Sequence, residues 1–126
     1  MEGFSIITYK DKTIFYSNFS IFQSDPDQKQ KILKLMKYGE DEWLKQPLNS
    51  VLALINVLNL NFDMEILRYF RESFAKTTHY EKKIAIIGVT GLIKTAYNFV
   101  IGLVPNQKVK TFDTEEEAME WLVKED

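Results

Sequence analysis

The sequence contains no cysteine and only one histidine, and its 126 residues include only three prolines and five glycines. The absence of cysteine excludes disulfides, thiolate nucleophiles and zinc–sulfur sites. The single histidine, His79, cannot form a histidine cluster around a metal, and its polar neighbourhood, KTTHYEKK, predicts exposure to solvent. Helix surfaces and a helix start explain the carboxylate runs EDE and EEE. We therefore expect no catalytic residues, no metal, no cofactor and no enzymatic activity.

An excess of basic charge is also lacking, since 16 Lys and Arg are offset by 18 Asp and Glu. This balance gives no electrostatic footprint for nucleic acid. The first residues, MEGFSIITYKDK, do not have the basic segment and sustained apolar run of a signal peptide. The most apolar segment, residues 84–104, is interrupted by glycines and polar side chains, which predicts a strand and a helix rather than a membrane span. We expect a single domain over residues 1–126, located in the cytoplasm and without stable membrane insertion.

The first half of the chain predicts a hairpin, a helix and a buried strand. FSIITY (residues 4–9) and TIFYSNF (residues 13–19) are β-rich runs separated by a short polar turn, so they should pair. A helix should begin at Ser24 or Asp25, and Gly39 should divide it into two. The continuous apolar run SVLALINV that follows is typical of a central strand buried on both faces.

The second half predicts an alternation of helices and strands. Apolar side chains four residues apart after Asn61 indicate an amphipathic helix. KIAIIGV is a second buried strand, a helix follows from about Gly91 to Ile101, and KVKTF is the last strand. Thr114 and Glu117 have the spacing of a capping box at the start of the final helix. The fold class is therefore α/β, with a mixed sheet whose later strands are parallel and in which residues 51–57 and 84–89 form neighbouring strands.

The stretch KKIAIIGVTGLIKTAYNFVIG has the strand, glycine turn and helix of a nucleotide-binding unit, but neither phosphate-binding motif is complete. Lys94 stands where a dinucleotide fingerprint needs its third glycine, and a P-loop needs four residues between its glycines instead of two. A weaker hypothesis remains, in which Thr90, Gly91 and Lys94 bind an anion at the helix N-terminus. The alternative is a plain strand-to-helix turn in which glycine relieves crowding.

The helix after this turn carries more apolar residues than one stripe against a sheet requires. If Leu92, Ala96, Phe99, Val100 and Leu103 face the sheet, then a second apolar stripe consists of Ile93, Tyr97, Ile101 and Val104. An exposed stripe of this kind predicts an interface, and in a homodimer it would pack against its own copy. The alternative is that the first helix or the C-terminal helix covers it within one chain.

The order of SVLALINVLNLNFDMEIL, KKIAIIGVTGLIKTAYNFV and VKTFDTEEEAMEWL resembles the SpoIIAA-like superfamily of anti-sigma-factor antagonist (STAS) domains, in a stand-alone bacterial branch. The resemblance covers nearly the whole chain. It implies a regulatory module of a bacterial signalling pathway that binds a partner protein and has no cofactor or reaction of its own. The same superfamily fold resembles lipid-carrying Sec14-type domains, so a binder of a small anionic or lipid ligand is the alternative.

In the well-known antagonists, a serine at the start of the helix after the central strand is phosphorylated by the partner kinase, and the added charge breaks the complex. The matching turn here is LNLNFD, in which Asn59 and Asn61 stand where the hydroxyl and its acidic neighbour are expected. The phosphorylation switch is therefore not expected at this turn. The resemblance places the partner-binding surface on this turn and the following helix, at Leu58, Asn59, Asn61, Asp63, Arg68 and Arg71.

Overall fold

A computed structural model describes residues 1–102 and 108–125. The chain begins with strands β1 (Phe4–Tyr9) and β2 (Lys12–Asn18), followed by a short 3-10 helix (Phe19–Phe22) and helix α1 (Gln28–Leu44). Strand β3 (Val51–Asn56), helix α2 (Met64–Thr77), strand β4 (Glu81–Ile87) and helix α3 (Leu92–Ile101) come next. Strand β5 (Val109–Phe112) and helix α4 (Glu115–Val123) complete the described elements. The predicted α/β class is confirmed.

The five strands form one mixed sheet in the order β1-β2-β3-β4-β5. Strands β1 and β2 are an antiparallel hairpin, and all later neighbours pair in parallel. The hairpin turn uses positive φ at Lys10 and Asp11, which suits the twist of a two-residue connection. The predicted hairpin and the predicted pairing of β3 with β4 are both confirmed. Because β3 is buried on both faces, its run VLALI can be apolar at every position.

The sheet separates two hydrophobic cores. The larger core lies between the sheet and helices α1, α2 and α3, and the smaller core lies under α4 on the opposite face. Helix α4 begins as predicted, because Thr114 Oγ1 accepts a hydrogen bond from Glu117 N at 3.2 Å. This arrangement leaves the carboxyl ends of β3, β4 and β5 at one edge, together with the turns that enter α2 and α3.

The prediction that Gly39 divides the first helix is wrong, because α1 continues through it for 17 residues. Gly39 is buried, and a Cβ at this position would meet only Ser17 Oγ, at 3.5 Å. Glycine weakens a helix without ending it when tertiary packing holds both sides. The helix also begins later than predicted, at Gln28, because the Asp25 carboxylate instead accepts a hydrogen bond from Asp27 N at 2.8 Å.

Candidate functional site

The turn between β3 and α2 is held by side-chain amides on both sides. Asn59 has a φ of 55°, a backbone conformation that asparagine tolerates better than most residues. Its Nδ2 donates to Gln23 Oε1 at 3.2 Å, and Asn61 Nδ2 donates to Gln28 Oε1 at 3.1 Å. These contacts fix the turn against the segment that enters α1. Leu58 remains 43% exposed, although it is a large apolar side chain.

Asp63 caps the N-terminus of α2 and carries a local ion pair. Its carboxylate accepts a hydrogen bond from Ile66 N at 2.9 Å. Lys29 Nζ of α1 lies 2.6 Å from Asp63 and 2.9 Å from Glu65. The hydrogen bond from Lys29, together with the cap, lowers the pKa of the Asp63 carboxyl. The predicted partner residue Asp63 is therefore exposed but already serves as a cap and an ion-pair partner.

The two predicted arginines have different surroundings. Arg68 is exposed on α2. Arg71 is half-buried, and its guanidinium lies 4.9 Å from the ring centroid of Phe99 on α3, the distance of a cation–π contact. Of the two arginines, Arg68 is therefore the exposed one, whereas Arg71 also joins α2 to α3.

The turns that enter α2 and α3 touch directly. A Cβ added at Gly88, whose φ is 89°, would lie 2.4 Å from Leu58 N, so this position accepts no side chain. Beside the contact, a cleft of about 310 Å³ runs along the carboxyl ends of β3, β4 and β5. Its polar lining consists of Asn56, Thr90, Thr111, Asp113 and Glu117, and of these five Thr90 alone was a predicted site residue. All five lie at or near the carboxyl end of a parallel strand or in the first turn of the following helix, and that position was the available signal.

The anion hypothesis at Thr90, Gly91 and Lys94 gains little from this geometry. Ile93 N donates to Thr90 O and Lys94 N donates to Gly91 O, both at 3.1 Å, so two backbone donors of the first turn are already used. The adjoining cleft is lined by the carboxylates of Asp113 and Glu117, which disfavour an anion. The hypothesis stays a prediction, and the plain strand-to-helix turn accounts for the observed bonds.

The prediction of an exposed stripe at Ile93, Tyr97 and Ile101 is wrong. Ile101 is only 3% exposed, and Ile93 and Tyr97 pack against the larger core. Leu92, which was expected to face the sheet, is instead 80% exposed. When a helix is apolar on most of its surface, the spacing of its apolar residues does not show which face is buried. The sequence alone could therefore not determine which side of α3 packs against the core. Leu103 and Val104 lie outside the described residues.

An apolar cavity of about 80 Å³ lies between the sheet and helices α1, α2 and α3. Aliphatic and aromatic side chains form most of its wall, and a few polar side chains join them: Ser17, Glu40, Trp43, Ser73, Thr77 and Tyr97. Ile93 and Tyr97, which line it at α3, are half-buried, so the cavity approaches the surface there. The sequence reasoning did not foresee this cavity, because volume between packed layers leaves no periodic signal.

Two polar atoms of the cavity wall are buried without a hydrogen-bond partner, Glu40 Oε1 and Trp43 Nε1. Glu40 is 4% exposed and Trp43 is 6% exposed. Lys76 Nζ lies 3.3 Å from Glu40 Oε1, which is an ion-pair distance, but its approach does not give a directed hydrogen bond. An unpaired buried donor or acceptor costs about 1–3 kcal/mol. A carboxylate on the inner face of α1, three residues before a tryptophan, was the signal available in the sequence.

A second buried carboxyl, Glu81, lies at the start of β4 and is fully buried. Burial raises its pKa to about 7, although a hydrogen bond with Thr77 at 2.7 Å opposes the change. Its other oxygen, Oε2, has no hydrogen-bond partner. Glu81 therefore changes its protonation state near neutral pH, deep in the structure.

Within residues 1–102 and 108–125, no three His, Cys, Asp or Glu side chains come together as a metal site. In the same part of the chain, every helix is too short or too polar to cross a membrane.

Comparisons with known proteins agree on the fold. A family model described as SpoIIAA-like matches residues 23–123. The solved structure of an anti-sigma-factor antagonist (STAS) domain protein from Planctomyces limnophilus is similar, with a TM-score of 0.57, 12% identity and coverage of 98% of this chain and 99% of that one. The NMR structure of the protein TM1081 gives a TM-score of 0.59, 17% identity and coverage of 99% and 90%. No curated protein matches the chain.

Proposed function

The chain belongs to the SpoIIAA-like family, and from this membership we propose that it is a non-enzymatic regulatory module of a bacterial signalling pathway that acts by binding a partner protein. The surface proposed for the partner, here named the apical surface, consists of residues 58–64 together with Arg68. A protein similar to the chain in fold is described as an anti-sigma-factor antagonist domain, which supports a regulatory role of this class.

One observation carries the proposal, namely large apolar side chains exposed around a rigid turn. Leu58 is 43% exposed and Met64 is 49% exposed. The amide contacts of Asn59 and Asn61 and the cap of Asp63 hold the backbone between them in one conformation. Apolar anchors on a preorganised surface lose little conformational entropy on binding, and a neighbouring arginine such as Arg68 can pair with a partner carboxylate.

Regulation at this surface differs from that of the phosphorylated antagonists. Neither Asn59 nor Asn61 can accept a phosphate, and both amides are already engaged with Gln23 and Gln28. We therefore propose that the partner binds without a phosphorylation switch at this turn.

Affinity capture with two single variants tests the proposal. Arg68→Glu reverses a charge on the exposed apical surface, so we expect at least a tenfold loss of the captured partner with an unchanged melting temperature. The matched variant Lys34→Glu reverses an exposed charge on α1, away from this surface, and should leave capture unchanged. If Arg68→Glu retains full capture while the fold is intact, the partner binds elsewhere.

Arg71→Glu gives a different expected result, because Arg71 also contacts Phe99. A loss of the cation–π contact should lower stability by about 0.5–1 kcal/mol, so a reduced capture by this variant must be corrected for the unfolded fraction.

A further inference from the structure

The two unpaired atoms in the wall of the apolar cavity are one donor and one acceptor. Trp43 Nε1 carries a hydrogen that finds no acceptor, and Glu40 Oε1 accepts no directed hydrogen bond, although Lys76 Nζ lies 3.3 Å away as an ion-pair partner. Both residues belong to α1 and lie three positions apart, which places them on the same face of the helix. Because both also line the cavity, their unused hydrogen-bonding capacity is available to an occupant.

The chemistry of this pair selects a hydroxyl group. A hydroxyl is both a donor and an acceptor, so it can accept from Trp43 Nε1 and donate to Glu40 Oε1. A carboxylate offers no donor and would face the Glu40 carboxylate, whose repulsion disfavours it. An ether or a hydrocarbon leaves the Glu40 oxygen unsatisfied.

The rest of the cavity wall favours a bound molecule that is apolar apart from its hydroxyl group. Apart from the six polar side chains, the cavity is lined by aliphatic and aromatic residues of the larger core. A cavity volume of about 80 Å³ is several times the roughly 10–15 Å³ that is needed to hold one water. It therefore holds the hydroxyl and the first few carbons, while a longer chain extends past the half-buried Ile93 and Tyr97.

We propose that the cavity between the sheet and helices α1, α2 and α3 binds a small neutral aliphatic alcohol, with the hydroxyl between Trp43 Nε1 and Glu40 Oε1. The proposal goes beyond partner binding, because Glu40 and Trp43 lie outside the apical surface, although Leu60 belongs both to that surface and to the cavity wall. Loss of one activity therefore leaves the other measurable.

The two tryptophans give a direct readout in the ¹⁵N-labelled chain. Trp43 lines the cavity, whereas Trp121 lies on α4, across the sheet against Phe112. We expect 1-hexanol to shift the indole N–H resonance of Trp43 saturably and to leave that of Trp121 in place. Methyl pentyl ether, an isomer that lacks the donor, and hexanoate should each bind at least tenfold more weakly.

Three variants test whether the preference for the alcohol depends on Glu40 and whether binding depends on the cavity. Glu40→Leu removes the acceptor and should reduce the preference for 1-hexanol over the ether to less than about twofold. Glu42→Leu makes the same substitution on α1 outside the cavity and should keep the preference. Ala96→Leu fills the cavity from α3 and should abolish binding of every probe; it also provides the test if Glu40→Leu does not fold.

Several results would overturn the proposal. One is the absence of a saturable Trp43 shift up to the solubility of 1-hexanol, as expected if water alone occupies the cavity. Others are hexanoate binding as tightly as the alcohol, or a preference for the alcohol that survives Glu40→Leu.

Discussion

At the scale of single residues, the two glycines Gly39 and Gly88 are predicted to respond in opposite directions to alanine. Gly39 lies inside α1, where a Cβ meets only Ser17 Oγ at 3.5 Å. Gly39→Ala should therefore raise the free energy of unfolding by about 0.5–1 kcal/mol, because alanine loses less backbone entropy on folding. Urea unfolding monitored by circular dichroism measures the change. A loss of stability would show that the packing around Gly39 has no room for the added methyl group.

Gly88→Ala should instead lower the free energy of unfolding by about 1–3 kcal/mol, because its φ is 89° and the new Cβ would meet the Leu58 backbone. The same substitution should weaken partner capture, since it displaces the turn that presents Leu58. Unchanged stability would contradict the direct contact between the two turns.

Glu81 is predicted to make the protein less stable as the pH rises. Burial raises its pKa from 4.5 to about 7, so the folded chain holds this proton more tightly than the unfolded chain does. The resulting stabilisation is complete below about pH 4.5 and is lost as the pH rises through 7. Asp63, whose pKa is lowered, acts in the opposite direction but only in the acid range below its ordinary value.

Glu81→Gln removes this titration and keeps a hydrogen-bonding group beside Thr77. We expect the variant to exceed the parent protein in stability by about 2–3 kcal/mol at pH 8 and to match it near pH 4. Denaturant unfolding at a series of pH values tests this. Parallel pH profiles for the two proteins would rule out Glu81 as the titrating group.

At the scale of elements, substitutions on α3 distinguish the observed orientation from the predicted one. Ile101 is 3% exposed and Leu92 is 80% exposed. Ile101→Glu should lower the free energy of unfolding by more than about 3 kcal/mol, because it buries an unpaired charge. Leu92→Glu should change it by less than about 0.5 kcal/mol. Chemical denaturation checks both values, and a tolerated glutamate at position 101 would restore the exposed stripe.

The helices and strands that were predicted correctly are those with local sequence signals. The strands β3 and β4 were predicted because their apolar runs are short, continuous and bounded by polar turns. The start of α4 was predicted from Thr114, whose side chain accepts a backbone hydrogen bond within the same segment. Each of these signals is local, so it does not depend on the rest of the fold.

Features that depend on distant partners were predicted poorly. The orientation of α3 depends on which apolar stripe packs into the larger core, and the continuity of α1 through Gly39 depends on packing over Ser17. The engagement of Arg71 by Phe99 joins residues of two helices. The family resemblance predicts partner contacts at the apical surface, but it could not show that Asn59 and Asn61 are held by Gln23 and Gln28.

At the scale of the whole molecule, the sheet separates the apical surface and the cavity from the smaller core. Both lie with helices α1, α2 and α3, whereas α4 covers the opposite face of the sheet. The turn that presents Leu58 also contributes Val57 and Leu60 to the cavity wall. The cavity wall therefore includes side chains of the segment that carries the proposed partner surface.

Photo-crosslinking in the native host tests the proposed partner surface most directly. A benzoylphenylalanine side chain would replace Leu58 or Arg68 on the apical surface in separate experiments, with Ile6 as the control, because Ile6 is an equally apolar side chain, 59% exposed, on the edge strand β1. We expect the same protein to be crosslinked from positions 58 and 68 and not from position 6. A protein crosslinked from position 6 alone, or no crosslinked protein from either apical position, would contradict the assignment of this surface to a partner.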